Sequence, residues 1–134
     1  MKPSLLRLAI AAVLAAGMIF PAGVILPAQA LDNQTKIDLQ AALLSFLEHA
    51  SDEAGRFAVI DRSSGTLTRV YAGAMHPKIV PFGDDQILCI EMFDDAGGKH
   101  EADFVLRRHN GGWMVVDILF NQRPLLKKAL RRSN

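Results

Sequence analysis

Residues 86–120 constrain the fold of this chain more than any other stretch. They contain three strand-like segments, two of them largely apolar and the middle one alternating between apolar and polar residues, and Gly-rich turn sequences separate these segments. Alternation at two-residue spacing is typical of half-buried strands, and Gly beside Asn or Asp is typical of hairpin turns. The stretch therefore predicts an antiparallel meander of three strands, with the sequences QILCIEMF, KHEADFVLRRH and WMVVDILF.

A long helix is predicted before the meander. Apolar residues recur at helical spacing over residues 31–54, and an apolar face this broad must pack on something large. Thr35 and Asp38 fit a capping pattern, and we expect Gly55 to end the helix. The predicted buried stripe consists of Ile37, Leu39, Ala41, Leu43, Leu44, Phe46 and Leu47.

The connection between helix and meander predicts a hairpin and then an irregular loop. Segments 56–61 and 66–72 alternate around the turn sequence RSSG. Pro77 and Pro81 exclude a central strand from residues 73–85, which leaves either a short edge strand at residues 79–82 or a covered loop. We therefore expect an α+β fold, with one N-terminal helix packed on the concave face of a curved antiparallel sheet of about five strands.

Residues 1–30 have the three parts of a secretory signal peptide. Lys2 and Arg7 accompany the start of a long apolar run, and Ala28-Gln29-Ala30 supplies small residues for a cleavage site. We predict cleavage after Ala30 and a periplasmic or secreted protein; the alternative is an uncleaved N-terminal membrane anchor. The mature chain would consist of an α+β domain at residues 31–122 and a basic tail or short helix at residues 123–134.

The composition of the predicted mature chain excludes several classes of function. Without Lys2 and Arg7, 13 basic residues face 14 acidic residues, so the formal charge is −1 and no general affinity for nucleic acid is expected. The single cysteine, Cys89, cannot form an internal disulfide, and its apolar strand predicts a packed thiol. None of the four histidines has metal-ligand spacing, so we predict neither a metal nor a cofactor.

The loop at residues 75–85 is the best candidate for a binding site, because it cannot be regular and loops on rigid scaffolds often carry function. The alternative is a proline-stiffened connector that covers the open end of the sheet. The residues predicted to bind a ligand are His76, Phe82, Asp84, Asp85 and Trp113.

Four residues are candidates for acid or base catalysis, with Asp117 and His76 foremost. Asp117 interrupts an apolar strand, where an unpaired carboxylate is costly, and His76 lies in the candidate loop. Asp61 and Asp103 are further acidic candidates within predicted strands. The alternative for Asp117 is a cross-strand ion pair with Arg69, Arg107 or Arg108.

The tail carries no acidic residue, and Pro124 fits the first position of a short helix. Its basic residues are candidates for contact with anionic lipid or with a protein partner, and the alternative is a solvated terminus. The residues predicted to make this contact are Lys127, Lys128, Arg131 and Arg132.

One long helix followed by a strongly bent antiparallel sheet resembles the cystatin-like and NTF2-like α+β folds. The terminal strand, entered through Gly111-Gly112-Trp113 and containing Val116-Asp117, resembles the last strand of NTF2-like domains. Residues 111–131 are also similar to the end of Mla-type periplasmic phospholipid-binding proteins. The NTF2-like resemblance implies either a pure binding domain or an enzyme with an acid or base in a helix–sheet pocket.

Together these features predict an exported, non-catalytic domain that binds an apolar small ligand or a periplasmic protein partner. One alternative is an NTF2-like enzyme that uses Asp117 or His76 as acid or base. A second alternative is an accessory protein that docks on a membrane or partner through its basic tail.

Overall fold

The computed structural model describes residues 30–133, which form an α+β domain. Residues 1–29 of the predicted signal peptide lie outside the described range. Neither of the helices in that range is long and apolar enough to cross a membrane. The elements follow in the order α1 (Asn33–Ala50), β1 (Phe57–Asp61), β2 (Thr66–Met75), β3 (Val80–Phe82), β4 (Asp85–Asp94), β5 (Lys99–His109), β6 (Gly112–Phe120) and α2 (Arg123–Ser133).

The strands form one nearly closed antiparallel sheet on which α1 packs. The strand order is β1-β2-β4-β5-β6, and the short β3 pairs with the beginning of β4. β1 and β6 lie at the two ends of this order, and they approach each other at a seam beside Phe46 of α1. The predicted helix-on-sheet architecture is confirmed, with β3 as an additional short strand.

The inner face of the sheet and α1 form the main hydrophobic core. Leu39 and Leu43 of α1 and Phe104 of β5 are fully buried in it. The rings of Phe46, Phe57 and Phe104 lie with their centroids 6.0 to 6.3 Å apart, at distances where aromatic pairs stabilise a core. Side chains therefore fill the middle of the interface between helix and sheet.

The predicted ends of α1 were wrong because aspartate side chains accept backbone N–H groups at the start of the helix and in the turn that follows it. Asp32, rather than Thr35, caps the helix: its carboxylate accepts the backbone N–H of Thr35 at 2.9 Å. The helix ends at Ala50, and the Asp52 carboxylate then accepts two backbone N–H groups of the following turn. Gly55 lies in that turn, with φ at +79°.

The buried face of α1 is narrower than predicted. Leu39, Leu43 and Leu47 are buried at four-residue spacing, whereas Ile37 and Leu44 are each 56% exposed. The helix packs mainly against β6, and the sheet does not extend over the side that carries Ile37 and Leu44. Their predicted burial was therefore wrong.

A β-bulge interrupts the alternation predicted for β6. Val105 of β5 pairs with Asp117 and Leu106 pairs with Val115, which leaves Val116 as an extra residue. Val115 and Ile118 both pack on the main core as a result. The prediction of strict alternation along β6 was wrong, since one inserted residue exchanges the two faces of a strand.

β2 extends further than predicted, to Met75, across an irregularity that begins after Ala72. Gly73 allows β2 to continue along β4 because the Gly73 backbone lies against the ring of Phe93. A Cβ atom at Gly73 would approach Phe93 Cε2 to 2.6 Å, which is closer than real Cβ contacts allow. The loop that forms the candidate site therefore begins at His76.

The second helix covers part of the outer face of the sheet. Leu126 is buried against Ile87 of β4 and Leu119 of β6, in a second hydrophobic cluster. Because α1 covers the inner face and α2 the outer face, six consecutive residues from Asp85 to Ile90 are buried. The neighbouring Leu125 is 49% exposed.

We expect Leu126→Ala to lower the free energy of unfolding by about 2 kcal/mol, because the lost methyl groups leave a cavity between α2 and the sheet. Leu125→Ala is the matched control, since it makes the same substitution at the adjacent exposed position, and we expect a change of at most about 0.5 kcal/mol. Urea denaturation followed by circular dichroism measures both. Equal losses would contradict the docking of α2 on the sheet.

Candidate functional site

A pocket of about 390 Å³ opens on the outer face of the sheet, between the segment that follows β2 and the start of α2. We call it the outer-face pocket. Its volume lies at the lower end of the range for small-molecule sites. It is lined by His76, Lys78, Val80, Ile87, Cys89, Glu101, Asp103, Arg123, Leu126 and Lys127.

Cys89 of β4 and Asp103 of β5 form the inner wall of this pocket. The two residues are direct partners in the β4–β5 ladder, so their side chains leave the sheet side by side. Asp103 is 1% exposed and Cys89 is 7% exposed. A carboxylate buried this deeply needs a counter-charge.

Arg123, the first residue of α2, supplies that counter-charge. Its Nη2 lies 3.2 Å from Oδ1 of Asp103 and donates a hydrogen bond to Sγ of Cys89 at 2.8 Å. Its Nε lies 3.4 Å from Oε2 of Glu101, which is half-exposed. The docking of α2 therefore brings a guanidinium group to a buried acid.

The ion pairs leave hydrogen-bonding capacity unused on the pocket wall. Among the described residues, neither carboxylate oxygen of Asp103 has a hydrogen-bond partner of good geometry, and Nε of Arg123 has none either. Buried polar groups in folded proteins are nearly always satisfied by protein, water or ligand. The inner wall can therefore accept at least one hydrogen-bond donor from a molecule in the pocket.

The protonation states of the inner wall follow from its burial. Burial raises the pKa of Asp103, and the Arg123 charge opposes that shift only in part. Burial, and after it the charge of Asp103, raises the pKa of the Cys89 thiol to about 11. Cys89 is therefore a neutral thiol at pH 7 and lacks the thiolate that nucleophilic attack requires. Within residues 30–133, no group of three or more His, Cys, Asp or Glu side chains is placed to hold a metal ion.

The remaining walls of the outer-face pocket combine positive charge with apolar surface. Lys78 comes from the loop after β2 and Lys127 from α2, and neither forms an ion pair with a carboxylate in the described part of the chain. Val80, Ile87 and Leu126 supply the apolar wall. These groups can hold a ligand that has an apolar body and a negatively charged group.

The structure separates the five residues predicted to bind a ligand. His76 lines the outer-face pocket, whereas Asp84, Asp85 and Trp113 line a second pocket of about 680 Å³ beside the start of α1, which we call the end pocket. Phe82 packs against the second hydrophobic cluster. The predicted binding residues therefore do not form a single site.

Two residues of the end pocket are already engaged by arginines of β5. Asp85 accepts two hydrogen bonds from Arg107, at 2.9 and 2.8 Å. The guanidinium carbon of Arg108 lies 4.5 Å from the ring centre of Trp113, its partner across the ladder. Such contacts stabilise the sheet end. The carboxylate of Asp85 and the ring face of Trp113 are therefore already occupied by protein groups.

Asp117, the first candidate for an acid or base, lies at the seam between β1 and β6. Its carboxylate pairs with Arg62 at 2.8 Å, and its side chain is 46% exposed. The predicted pairing with Arg69, Arg107 or Arg108 was wrong, because the nearly closed sheet brings the β1–β2 turn beside β6. A half-exposed, paired carboxylate lacks the deep burial that is typical of a catalytic acid or base.

The basic residues of the tail lie on α2 and divide into two groups. Lys127 lines the outer-face pocket. Lys128, Arg131 and Arg132 are exposed on the same helix. Their contact with a membrane or a partner stays a prediction.

Arg123 was not among the predicted functional residues, although it joins Asp103, Cys89 and Glu101 into one network. The usable signal is an acid that faces outwards from a central strand, because such a position is buried only if a further element covers it. Arg123 follows directly after the last strand and its turn, at the start of a segment with an apolar strip. That combination predicts a helix that returns over the sheet and carries the counter-charge.

No family model, curated protein or solved structure matches this chain. A proposal of function therefore rests on the geometry and charge of the site.

The two buried aspartates predict opposite dependences of stability on pH. The Arg107 hydrogen bonds lower the pKa of Asp85, so the carboxylate stabilises the fold above the pKa of the unfolded chain, and this contribution is lost as pH falls through the lowered value. Burial raises the pKa of Asp103, so its ionisation costs stability as pH rises from the ordinary aspartate pKa through the raised value.

We therefore expect Asp85→Asn to lose about 1 kcal/mol at pH 7 and progressively less below about pH 4. As pH rises from the ordinary aspartate pKa, Asp103→Asn is expected to become more stable relative to the unmodified protein. The reason is that its amide stays uncharged in the buried site, whereas the Asp103 carboxyl ionises. Urea denaturation between pH 3 and 7 measures both curves. Profiles of the same sign for the two variants would contradict the assignment.

Proposed function

We propose that this protein is a non-catalytic binding domain that holds a small ligand in the outer-face pocket. The ligand has an apolar body and a negatively charged group. The observation that carries the proposal is that Lys78 and Lys127 reach one pocket with an apolar wall from two different elements and form no ion pair there with a carboxylate of the described chain.

The lysine charges attract an anion strongly because they lie beside an apolar wall of low dielectric constant. Val80, Ile87 and Leu126 exclude water from one side of the pocket, which strengthens the attraction between the lysines and an anion. His76 lines the same pocket, so the loop suspected from the sequence contributes to the site. The neutral Cys89 thiol and the Asp103–Arg123 ion pair argue for binding rather than covalent chemistry.

The probe for this proposal is 4-methylpentanoate, compared with the neutral 4-methylpentanamide in calorimetric titrations of the purified protein. We expect the carboxylate to bind more tightly than the amide. Lys127→Gln is expected to weaken carboxylate binding by about threefold to tenfold, in the range of a partly exposed charge pair. The double variant Lys78→Gln, Lys127→Gln is expected to weaken it further and to leave amide binding unchanged.

Lys128→Gln is the matched control, because Lys128 is the next residue of α2 and does not line the pocket. We expect it to bind the carboxylate as the unmodified protein does. Equal weakening by Lys127→Gln and Lys128→Gln would show a general effect of net charge. That result, or equal binding of carboxylate and amide, would overturn the proposal.

A second candidate function is general acid catalysis by Asp103. The observation that favours it is the raised pKa of this carboxyl in a pocket that also contains His76. The Arg123 counter-charge favours the ionised form and so weighs against it. A bell-shaped pH dependence of ligand turnover that Asp103→Asn abolishes would establish this alternative, whereas binding without turnover supports the first proposal.

We also propose that the protein is exported and cleaved after Ala30, on the pattern of residues 1–30. The intact mass of the protein purified from its host after expression of the full chain tests this: the expected chain begins at Leu31. A mass that retains residues 1–30 would support the membrane-anchored alternative. We also propose kinship with cystatin-like or NTF2-like proteins, which the order of one long helix and an antiparallel sheet supports, or with Mla-type proteins, on the pattern of residues 111–131.

A further inference from the structure

We infer that the ligand of the outer-face pocket is a zwitterion, a small α-amino acid with an apolar side chain. This assignment rests on the proposed function and adds a second charged group to the ligand. The pocket contains a complement for each of the three parts of such a molecule, and each complement is a different set of side chains.

The complement for the ammonium group is the acidic inner wall. Asp103 is almost fully buried, and both of its oxygens lack a well-formed hydrogen bond within the described chain. Arg123 is its only described ion-pair partner, at 3.2 Å, through a single nitrogen. Glu101 adds a second, half-exposed carboxylate beside it. An ammonium group has three donors and can satisfy these acceptors where a carboxylate ligand cannot.

The complement for the carboxylate is the basic side of the pocket. Lys78 and Lys127 are free of ion pairs in the described chain, and Nε of Arg123 is buried without a hydrogen bond. A carboxylate accepts several charge-assisted hydrogen bonds, which are stronger than neutral ones. The pocket therefore holds unused donors and unused acceptors, so a ligand of a single sign would leave one set unsatisfied.

The complement for the side chain is the apolar wall of Val80, Ile87 and Leu126. These residues are branched and aliphatic, so they suit a branched aliphatic group of similar size. A volume of about 390 Å³ is small among ligand sites, which favours a single amino acid over a long acyl chain or a peptide. Leucine is the simplest molecule that has all three parts.

Two analogues of leucine isolate its charged groups. 4-Methylpentanoate lacks only the ammonium group, and 3-methylbutylamine lacks only the carboxylate. A site built to hydrogen-bond a substrate group rejects the analogue that lacks it, because its own buried polar atoms are then left unpaired. We expect L-leucine to bind the unmodified protein at least about tenfold more tightly than either analogue, as charge-assisted hydrogen bonds predict.

Asp103→Asn gives the second arm of the experiment. We expect this variant to bind leucine about tenfold more weakly, because the amide keeps an acceptor but loses its charge. It is expected to bind 4-methylpentanoate more tightly than the unmodified protein does, since a repulsive charge is removed. Asp85→Asn is the matched control, because Asp85 is a buried aspartate that does not line this pocket, and its affinities are expected not to change.

Calorimetric titration of the purified protein with the three compounds, up to millimolar concentration, separates the outcomes. Tighter binding of leucine, with the opposite responses to Asp103→Asn, establishes the zwitterionic ligand. Equal binding of leucine and 4-methylpentanoate overturns the zwitterion and leaves the proposed function standing. Binding of neither compound overturns both. Because the three-compound comparison needs no variant, it decides the question even if Asp103→Asn does not fold.

Discussion

Arg123→Met is expected to lower the free energy of unfolding by about 3 kcal/mol at pH 7, because it leaves the buried Asp103 without a counter-charge. Methionine keeps the unbranched apolar stem and the helix propensity of arginine, so the loss reports the guanidinium rather than the helix. The loss is expected to shrink as pH is lowered, since protonation of Asp103 removes the unpaired charge. Urea denaturation at pH 7 and pH 4 measures both parts.

A double variant tests whether the loss runs through Asp103. We expect Arg123→Met to cost at most about 1 kcal/mol when Asp103→Asn is already present, because no buried charge is then left unpaired. Arg131→Met is the matched control on the exposed side of α2, with an expected change of about 0.5 kcal/mol or less. The same loss in both backgrounds, or the same loss at Arg131 and Arg123, would contradict the buried ion pair.

The other large expected effect is at the centre of the main core. Leu43→Ala is expected to lower the free energy of unfolding by about 3 kcal/mol, because Leu43 is fully buried between α1 and the sheet and the loss of its methyl groups leaves a cavity. The single tryptophan, Trp113, packs against the same core, so its fluorescence reports the transition.

Leu44→Ala provides the control for Leu43→Ala. The substitution is identical and one residue away, but Leu44 is 56% exposed, so we expect a change of at most about 0.5 kcal/mol. The broad apolar stripe of the sequence predicts comparable losses at the two positions, whereas the structure predicts a large difference. Comparable losses would show that the structure assigns the wrong face of α1 to the core.

The elements of the fold that have a strong local signal could be predicted from the sequence. The alternation in the segment around Phe104 and the glycine turns on either side fix three strands, because side-chain period and turn chemistry agree there. The helix before them follows from apolar residues at helical spacing. The boundaries of that helix were wrong because Asp32 and Asp52 compete for the same backbone N–H groups that the predicted caps would use.

Features that depend on how the sheet closes could not be predicted. The exposure of Leu44 depends on which side of α1 the sheet covers, and the pairing of Asp117 with Arg62 depends on the approach of β1 to β6. The bulge at Val116 has no local signal, since the residues around it are nearly all apolar and fit either face of the strand. Each of these is decided by contacts between elements rather than by the sequence of one element.

The candidate site was hidden for the same reason. Asp103 is one acid among several in the strands, and its burial depends on α2 returning over the outer face of the sheet. The basic composition of that helix suggested a membrane or partner contact, whereas Arg123 points into the domain and Lys127 lines a pocket. A basic helix exposed to solvent and a basic helix that supplies the counter-charge of a buried acid can have the same composition. Only the position at which the helix packs distinguishes them.

The most direct test of the outer-face pocket as a ligand site is a titration of the ¹⁵N-labelled protein with L-leucine, followed through the backbone amide signals in the NMR spectrum. We expect concentration-dependent shifts at Cys89, Asp103 and Lys127, with Phe57 across the core unchanged. The absence of shifts at millimolar leucine, or shifts centred on Asp84 and Trp113 in the end pocket, would contradict it.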